Sequence, residues 1–198
     1  MRGLLEVKGE IIRRKGPLSY LETNGIGIIT NPSEVLANDD EIEILIEKES
    51  AKITDQAYTK ILSKSNVKIN IKISSQILFY FPHPVIFYDK AKANILTEIE
   101  ISKHGKIVEA YVLGRKFHKE TFKDGEITSV TKIYYKGKLL IYDVFKVINE
   151  NYKSKNIMGS EALLTVYEIK DGEYDFQRYS TTTEKIDTLW RSLTGIWF

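Results

Sequence analysis

The sequence contains no cysteine, only three histidines and only four prolines in 198 residues. Without cysteine there are no disulfides, no thiolate nucleophiles and no thiolate zinc sites. His83, His104 and His118 are widely spaced and form no HxH or HExxH pattern. We therefore predict no stable metal site and no tightly bound cofactor. A metal ion handled by this chain would meet mostly carboxylates, backbone oxygens or water.

Long apolar runs and a large net charge are also missing. No segment approaches the roughly 20 apolar residues that a membrane helix needs, and Glu6 and Glu10 interrupt the short apolar run at the N-terminus, unlike a secretory signal. The formal net charge is +2, which does not match nucleic acid. We therefore predict a cytoplasmic protein with no membrane and no nucleic-acid partner.

Alternation of apolar and polar residues is the main pattern that is present. Residues 67–73 alternate without a fault, as a half-buried strand does. We predict one domain over residues 1–198, mainly β: a two-layer, many-stranded antiparallel or mixed β scaffold with one or two short helices. The other predicted strands are 4–13, 26–30, 41–44, 76–81, 85–89, 98–101, 107–113, 117–123, 127–135, 138–147, 162–169 and 174–179. The predicted turns are His104-Gly105, Asp124-Gly125, Lys136-Gly137 and Asp171-Gly172.

Two segments carry a helical pattern. Residues 54–64 fit either a short helix or a continuing strand, and periodicity does not decide between them. The C-terminal segment is a clearer helix, with an N-cap offered by Thr181–Thr183 and a stop at Gly195. Its apolar stripe is formed by Ile186, Leu189, Trp190 and Leu193.

Two carboxylates fall on strand faces that should be apolar. Strand 107–113 is apolar on both faces, which predicts that it is covered on both sides and leaves Glu109 with little water. Asp143 shares a face of its strand with Leu139, Ile141, Phe145 and Val147. A buried carboxylate needs a cation or several donors, or its pKa rises. Two kinds of explanation stay open. One is structural: an ion pair, for instance with Arg115, or a strand register that leaves one of the two carboxylates exposed. The other is functional: an internal polar path or a transient cation site.

Three motifs follow one another between residues 51 and 122. The second begins with a Pro-x-Pro kink, whose His83 has no paired ligand in the sequence and is interpreted as a surface residue. In the third, the glycine permits a sharp turn and the arginine can pair with a carboxylate on the next strand, which predicts a corner clamp. The motif residues are Thr54, Gln56, Ala57 and Lys60; Pro82, Pro84, Val85, Ile86, Phe87 and Ala91; and Glu109, Gly114, Arg115 and Glu120.

In order and spacing these motifs resemble the urease accessory protein family UreD, also called UreH. Gly16-Pro17-Leu18 and Leu189–Leu193 extend the resemblance toward both ends of the chain. The chain departs from the family after Pro32, where the family has Gly-Gly-x-x-x-Gly-Asp. Asn38 can replace a left-handed glycine, whereas Ser33 and Glu34 cannot do so freely.

The resemblance implies a urease maturation factor that is not an enzyme. Such a protein is a scaffold or metallochaperone that joins a UreF-like protein and, through it, the GTPase UreG to apo-urease. It helps nickel pass toward the urease active site through a water-filled tunnel, with nickel only in transit. Glu109 and Asp143 are the candidate residues of this nickel path. Nucleotide hydrolysis belongs to UreG, since this chain has no Walker-type loop.

Two other functions compete with this one. Many alternating strands and 11% aromatic residues also suit a small-molecule-binding β-barrel. A carboxylate-based hydrolase would use Glu109 and Glu120, but the sequence places no nucleophile or oxyanion site beside them.

Overall fold

The structure, a computed structural model, describes residues 1–115 and 120–197. Within them one mixed sheet contains sixteen strands. A 3-10 helix, Asn149–Lys153, lies between two of the strands, and one α-helix, α1 (Ile186–Thr194), follows the last strand. The strands are β1 (Arg2–Lys8), β2 (Ile11–Lys15), β3 (Ser19–Thr23), β4 (Ile26–Thr30), β5 (Val35–Leu36), β6 (Glu41–Glu47), β7 (Ser50–Asp55), β8 (Lys60–Ile61), β9 (Asn66–Phe81), β10 (Val85–Phe87), β11 (Lys92–Arg115), β12 (Glu120–Thr121), β13 (Glu126–Tyr135), β14 (Lys138–Ile148), β15 (Ala162–Lys170) and β16 (Glu173–Thr181). The predicted mainly-β fold with a C-terminal helix is confirmed.

Two long parallel strands, β9 and β11, organise the sheet. On its other edge β9 pairs with β6 along its first half and with β7 along its second half. Likewise, β11 pairs with β13 along its first half and with β15 along its second half. Outward from these, β14 pairs with β13 and β16 with β15. The two long strands therefore run through both halves of the sheet.

The two halves of β11 belong to layers that face each other. Tyr111, in its second half, stacks on Phe145 of β14 at 4.9 Å between ring centroids and shares a 2.7 Å hydrogen bond with Ser129 of β13. The register against β9 shifts between Ile101 and His104, and such a bulge bends a strand. The predicted turn at His104-Gly105 is therefore wrong, because the strand continues. A side chain at Gly105 would lie 3.0 Å from the carbonyl oxygen of Leu78, so this glycine permits close strand contact.

Apolar side chains fill the space on both faces of residues 107–113. One cluster lies between the two layers, and includes Ile107, Tyr111 and Leu113. A second cluster lies on the other face, where Ile186 and Trp190 of α1 are packed with the valines and alanine of the strand. The prediction that this strand is covered on both sides is confirmed.

Several sequence predictions need correction. Residues 4–13 are not one strand, because the chain turns at Gly9 (φ +57°) into the hairpin of β1 and β2. Residues 54–64 form neither a helix nor one continuing strand: β7 ends at Asp55 and β8 begins only at Lys60. The strand predicted at 117–123 falls partly on residues 116–119, which lie outside the described residues, and Glu120–Thr121 form β12.

The start of α1 and the face of β14 also differ from prediction. The N-cap is Lys185, without a side-chain cap, and not one of the three threonines. Thr182 contributes instead through its carbonyl oxygen, which accepts hydrogen bonds from the backbone of residues 185 and 186. Gly195 ends the helix in the left-handed conformation, as predicted. Leu139 is 46% exposed and does not join the buried face of Asp143, because the pairing register shifts between Ile133 and Tyr134.

Gly114 ends the regular part of β11 with φ +74°. A Cβ there would lie 2.4 Å from the carbonyl oxygen of Glu120 and 2.9 Å from the backbone nitrogen of Phe122. We expect Gly114→Ala to lower the free energy of unfolding by about 2 kcal/mol or more, measured by urea denaturation. Gly137→Ala is the matched control, since its φ is +77° but nothing lies within 4 Å. Equal losses in the two variants would contradict the clash.

Candidate functional site

Glu109 lies between the two layers, and only 5% of the residue is exposed. Its Oε2 accepts a 2.7 Å hydrogen bond from the hydroxyl of Thr131 on β13. Thr97, in the first half of β11, donates a further hydrogen bond, and the hydroxyl of Tyr167 on β15 lies 3.5 Å from the same oxygen. Within the described part of the chain these partners are all hydroxyl groups. The carboxylate is therefore held by donors and not by a paired cation.

A polar chain connects Glu109 to the surface through Asp143. The Oδ2 atom of Asp143 accepts a 2.7 Å hydrogen bond from the Tyr167 hydroxyl and a 2.5 Å one from Nη2 of Arg178. The side chains of Asp143 and Arg178 are 18% and 31% exposed. One tyrosine hydroxyl thus lies between the buried carboxylate and a partly exposed ion pair.

A cavity of about 100 Å³ also reaches Glu109. Thr97, Tyr80 and Glu109 line it between the layers, and Gln56 and His83 line it from the loops that follow β7 and β9. This volume has room for several water molecules. Most of its lining is apolar, and a few polar side chains, Glu109 and Thr97 among them, give such waters hydrogen-bond partners. The cavity and the polar chain meet at Glu109.

Burial raises the pKa of Glu109 to about 7. The hydrogen bonds from Thr131 and Thr97 oppose the rise, and the negative charge of Asp143 adds to it. Burial also raises the pKa of Tyr167, whose hydroxyl therefore keeps its proton and stays a donor. Near neutral pH Glu109 is present both protonated and ionised. It can therefore exchange its proton for a cation without leaving its site.

His83 is buried and not a surface residue, contrary to the sequence interpretation: it is 3% exposed. Oδ1 of Asp55 accepts a 2.8 Å hydrogen bond from the His83 backbone N–H and lies 2.7 Å from its Nδ1. The imidazole stacks on Trp190 with 4.2 Å between ring centroids. Burial raises the pKa of Asp55, and its hydrogen bonds with His83 oppose this rise. The histidine is therefore fixed on two sides.

The loop that departs from the family pattern lies beside the same cavity. Asn38 has φ +51°, so it takes the left-handed conformation expected of it. Glu34 also takes it, with φ +52°, although its side chain disfavours it. The backbone N–H of Lys60 donates to the Glu34 carbonyl oxygen at 2.8 Å, and Lys60 Nζ donates to Glu34 Oε2 at 3.0 Å. This second hydrogen bond is the largest cause that lowers the pKa of Glu34.

Other motif residues hold the loops in place. The Thr54 hydroxyl donates to the carbonyl oxygen of Phe81 at 2.8 Å, and Trp190 Nε1 donates to that of Pro82 at 2.9 Å. Together these bonds fix the segment that leads into Pro84 to the end of β7 and to α1.

The glycine-arginine corner lies at the end of β11. The backbones of Arg115 and Glu120 lie opposite each other in the pairing of β11 with β12, and Arg115 Nη1 lies 3.4 Å from the hydroxyl of Tyr88. An ion pair between the two side chains stays a prediction. Exposed Glu120 lies beside Arg115, six residues and about 20 Å of strand away from Glu109. The structure therefore does not bring together the carboxylate pair of a hydrolase.

Thr131, Tyr167 and Arg178 complete the polar chain and were missed from the sequence. Thr131 gave a signal, because Ser129 and Thr131 lie between two isoleucines, Ile127 and Ile133, on the same face of their strand. Tyr167 lies in a strand that is buried on both faces, where a tyrosine hydroxyl needs a partner. Arg178 lies in an exposed strand, and nothing in the sequence singles it out.

Among the described residues no group of three or more His, Cys, Asp or Glu side chains is placed to hold a metal ion. No helix in this part of the chain has the length and apolar character needed to cross a membrane.

The fold and site define an all-β protein with a buried polar route and no recognisable catalytic set among the described residues. Residues 13–186 match the family model described as UreD urease accessory protein. The chain belongs to the UreD urease accessory protein family.

Two relatives show how far this similarity extends. The chain is 26% identical over 129 residues to the urease accessory proteins UreD of Actinobacillus pleuropneumoniae serotype 3 (strain JL03) and serotype 7 (strain AP76). The matches cover 61% of this chain and 48% of each relative. The chain thus spans about half the length of the curated relatives it matches.

Proposed function

We propose that this chain is a non-catalytic urease maturation factor that helps nickel reach the active site of apo-urease. It would act in a complex with a UreF-like protein and, through that protein, with the GTPase UreG. Membership in a urease accessory family supports the role in urease maturation. The nickel route and the partners rest on the site and on the family resemblance.

Glu109 is the observation that carries the proposed route. Its carboxyl group is buried where the cavity of about 100 Å³ and the polar chain through Tyr167 meet. On this proposal a hydrated Ni²⁺ ion passes along the cavity, is bound briefly by the ionised form of Glu109, and leaves past Asp143. Release is favoured because the site offers few strong ligands and the carboxylate can take up a proton instead.

Binding of a small organic molecule is the second candidate and has weaker support. The cavity of about 100 Å³ is well below the 300–1,000 Å³ or so of typical ligand pockets. The sheet also has open edges at β2, β14 and β16, each of which has one neighbour among the described strands. By volume, a cation with part of its water shell fits this space better.

Deletion and co-expression together test the proposed function. We expect deletion of the gene to leave urease without nickel and inactive, and the chain to elute with its UreF-like partner as a stable complex when the two are co-expressed. Reintroduction of the wild-type gene is the control and should restore activity. Fully active urease in the deletion strain would contradict the assignment.

A further inference from the structure

We propose that His83, oriented by Asp55, makes the cavity select a late first-row divalent cation such as Ni²⁺ over Mg²⁺. This inference rests on the proposed function, because it takes the cavity to be a cation route. The sequence offered no partner for His83, and the family motif has no requirement for histidine between its two prolines. The structure supplies the partner and places His83 among the residues that line the cavity.

The imidazole is held in one orientation. Oδ1 of Asp55 accepts from the His83 backbone N–H and lies within hydrogen-bond distance of Nδ1. A ring flip would take Nδ1 away from that oxygen. One face of the ring stacks against Trp190 of α1 with an interplanar angle of 29°. The hydrogen bond from Trp190 Nε1 to the Pro82 carbonyl oxygen holds the tryptophan in place.

This orientation leaves the other ring nitrogen for a ligand. Both hydrogen bonds of His83 that the described residues provide go to Asp55, so Nε2 is the nitrogen that can bind a cation. A histidine that binds a metal almost always donates its second ring N–H to a carboxylate or carbonyl, which fixes the tautomer and raises the basicity of the ligand nitrogen. The Asp55–His83 pair has this arrangement.

Most of the cavity lining is apolar, and the acidic side chains on it offer oxygen. Glu109 with its threonine and tyrosine hydroxyls, and Glu34 and Asp55 on the cavity wall, are donors that suit Mg²⁺ and Ca²⁺ as well as Ni²⁺. An imidazole nitrogen would shift the relative affinity of the route from Mg²⁺ toward Ni²⁺, because the affinity of such a nitrogen rises steeply toward nickel and copper along the first-row series. One nitrogen donor in a route of oxygen donors would therefore discriminate against Mg²⁺ while binding Ni²⁺ too weakly to retain it.

Metal titration of the full chain, co-purified with its UreF-like partner, tests this inference. Isothermal titration calorimetry with NiCl₂ is performed with and without excess MgCl₂. The wild-type complex is expected to bind Ni²⁺ in both conditions. We expect His83→Gln to lower Ni²⁺ affinity about tenfold or more while Mg²⁺ affinity stays within about twofold, and Asp55→Asn to lower Ni²⁺ affinity by about 10–100-fold.

His104→Gln is the matched control, because His104 is exposed and outside the cavity, and it should bind Ni²⁺ as the wild type does. If His83→Gln fails to fold, as judged by its thermal unfolding, Asp55→Asn decides, because its amide oxygen can still accept both hydrogen bonds. Unchanged Ni²⁺ affinity in Asp55→Asn and in a folded His83→Gln, or loss of wild-type Ni²⁺ binding in excess Mg²⁺, would overturn the inference. The titration needs no urease. A negative titration would therefore overturn the role of His83 without touching the proposed function, and active urease in the deletion strain would overturn the proposed function without touching the titration.

Discussion

Glu109→Gln is expected to abolish most urease activation while making the protein itself more stable at pH 8. Glutamine keeps the shape of the side chain and can accept the hydrogen bond from Thr131, but it cannot bind a cation as a carboxylate does. We expect the nickel content and activity of urease to fall at least about tenfold, the scale of losses at metal-site residues. Both are measured after co-expression of the accessory proteins with urease.

The gain in stability follows from the sign of the pKa shift. The fold raises the pKa of Glu109 from 4.5 to about 7, so the folded chain favours the neutral form. Its contribution to stability is complete below pH 4.5 and is lost as the pH rises through about 7. A shift of this size corresponds to up to about 3 kcal/mol at pH 8. Glu109→Gln stays neutral, so its advantage over the wild type in urea denaturation should be near zero at pH 4.5 and largest at pH 8.

Glu120→Gln is the control, since it makes the same change at an exposed motif residue and should leave urease activation and the pH dependence as in the wild type. Asp143→Asn should lower activation with the accessory complex still assembled, and should change stability by at most about 1 kcal/mol, because its ion pair with Arg178 is partly exposed. If Glu109→Gln activates urease fully, Glu109 is not part of the route. If the complex no longer assembles, the residue has a structural role.

Trp190→Ala is expected to cause the largest loss of stability. Trp190 has no exposed surface, donates a hydrogen bond to the Pro82 carbonyl oxygen and stacks on His83. Replacement of a buried tryptophan by alanine costs about 3–5 kcal/mol, to which the unpaired carbonyl adds. For a chain of this size the melting temperature should fall by roughly 10 °C, measured by calorimetry on the accessory complex.

Trp197→Ala is the matched control for the tryptophan, because Trp197 is 72% exposed. Its effect should stay within about 0.5 kcal/mol. Similar melting temperatures for the two variants would show that α1 is not needed to hold the sheet. A large loss in Trp190→Ala alone supports the view that the helix stabilises the Pro-x-Pro segment from outside.

The strands could be predicted because alternation is a local property. In residues 67–73 burial follows the alternation of the sequence, and in residues 127–133 the buried positions also recur every second residue, although two of them are polar. The bulge at Ile101–His104 could not be predicted, since the histidine-glycine pair that marks it has the same composition as a turn. Only the pairing with β9 and β15 shows that the chain continues.

In the candidate site, too, local features could be predicted and contacts between distant residues could not. The burial of Glu109 could be inferred because its own strand is apolar on both faces. Its partners could not, since Thr131 and Tyr167 are 22 and 58 residues away in the chain. The Asp55–His83 pair, 28 residues apart, was missed for the same reason. A single histidine looks unpaired until the parallel pairing of β7 with β9 brings the ends of the two strands together.

The parallel pairing of distant strands has a consequence for how the chain folds during synthesis. The first strand, β1, has its parallel partner in β6, more than thirty residues later, and β11 completes its edges only when β13 and β15 have been made. Contacts between such distant residues form slowly, and until then strand edges with unpaired N–H and C=O groups are exposed to other chains. A partner present during translation would cover these edges. We therefore expect a higher yield of soluble chain when the partner is expressed together with it than when it is added afterward.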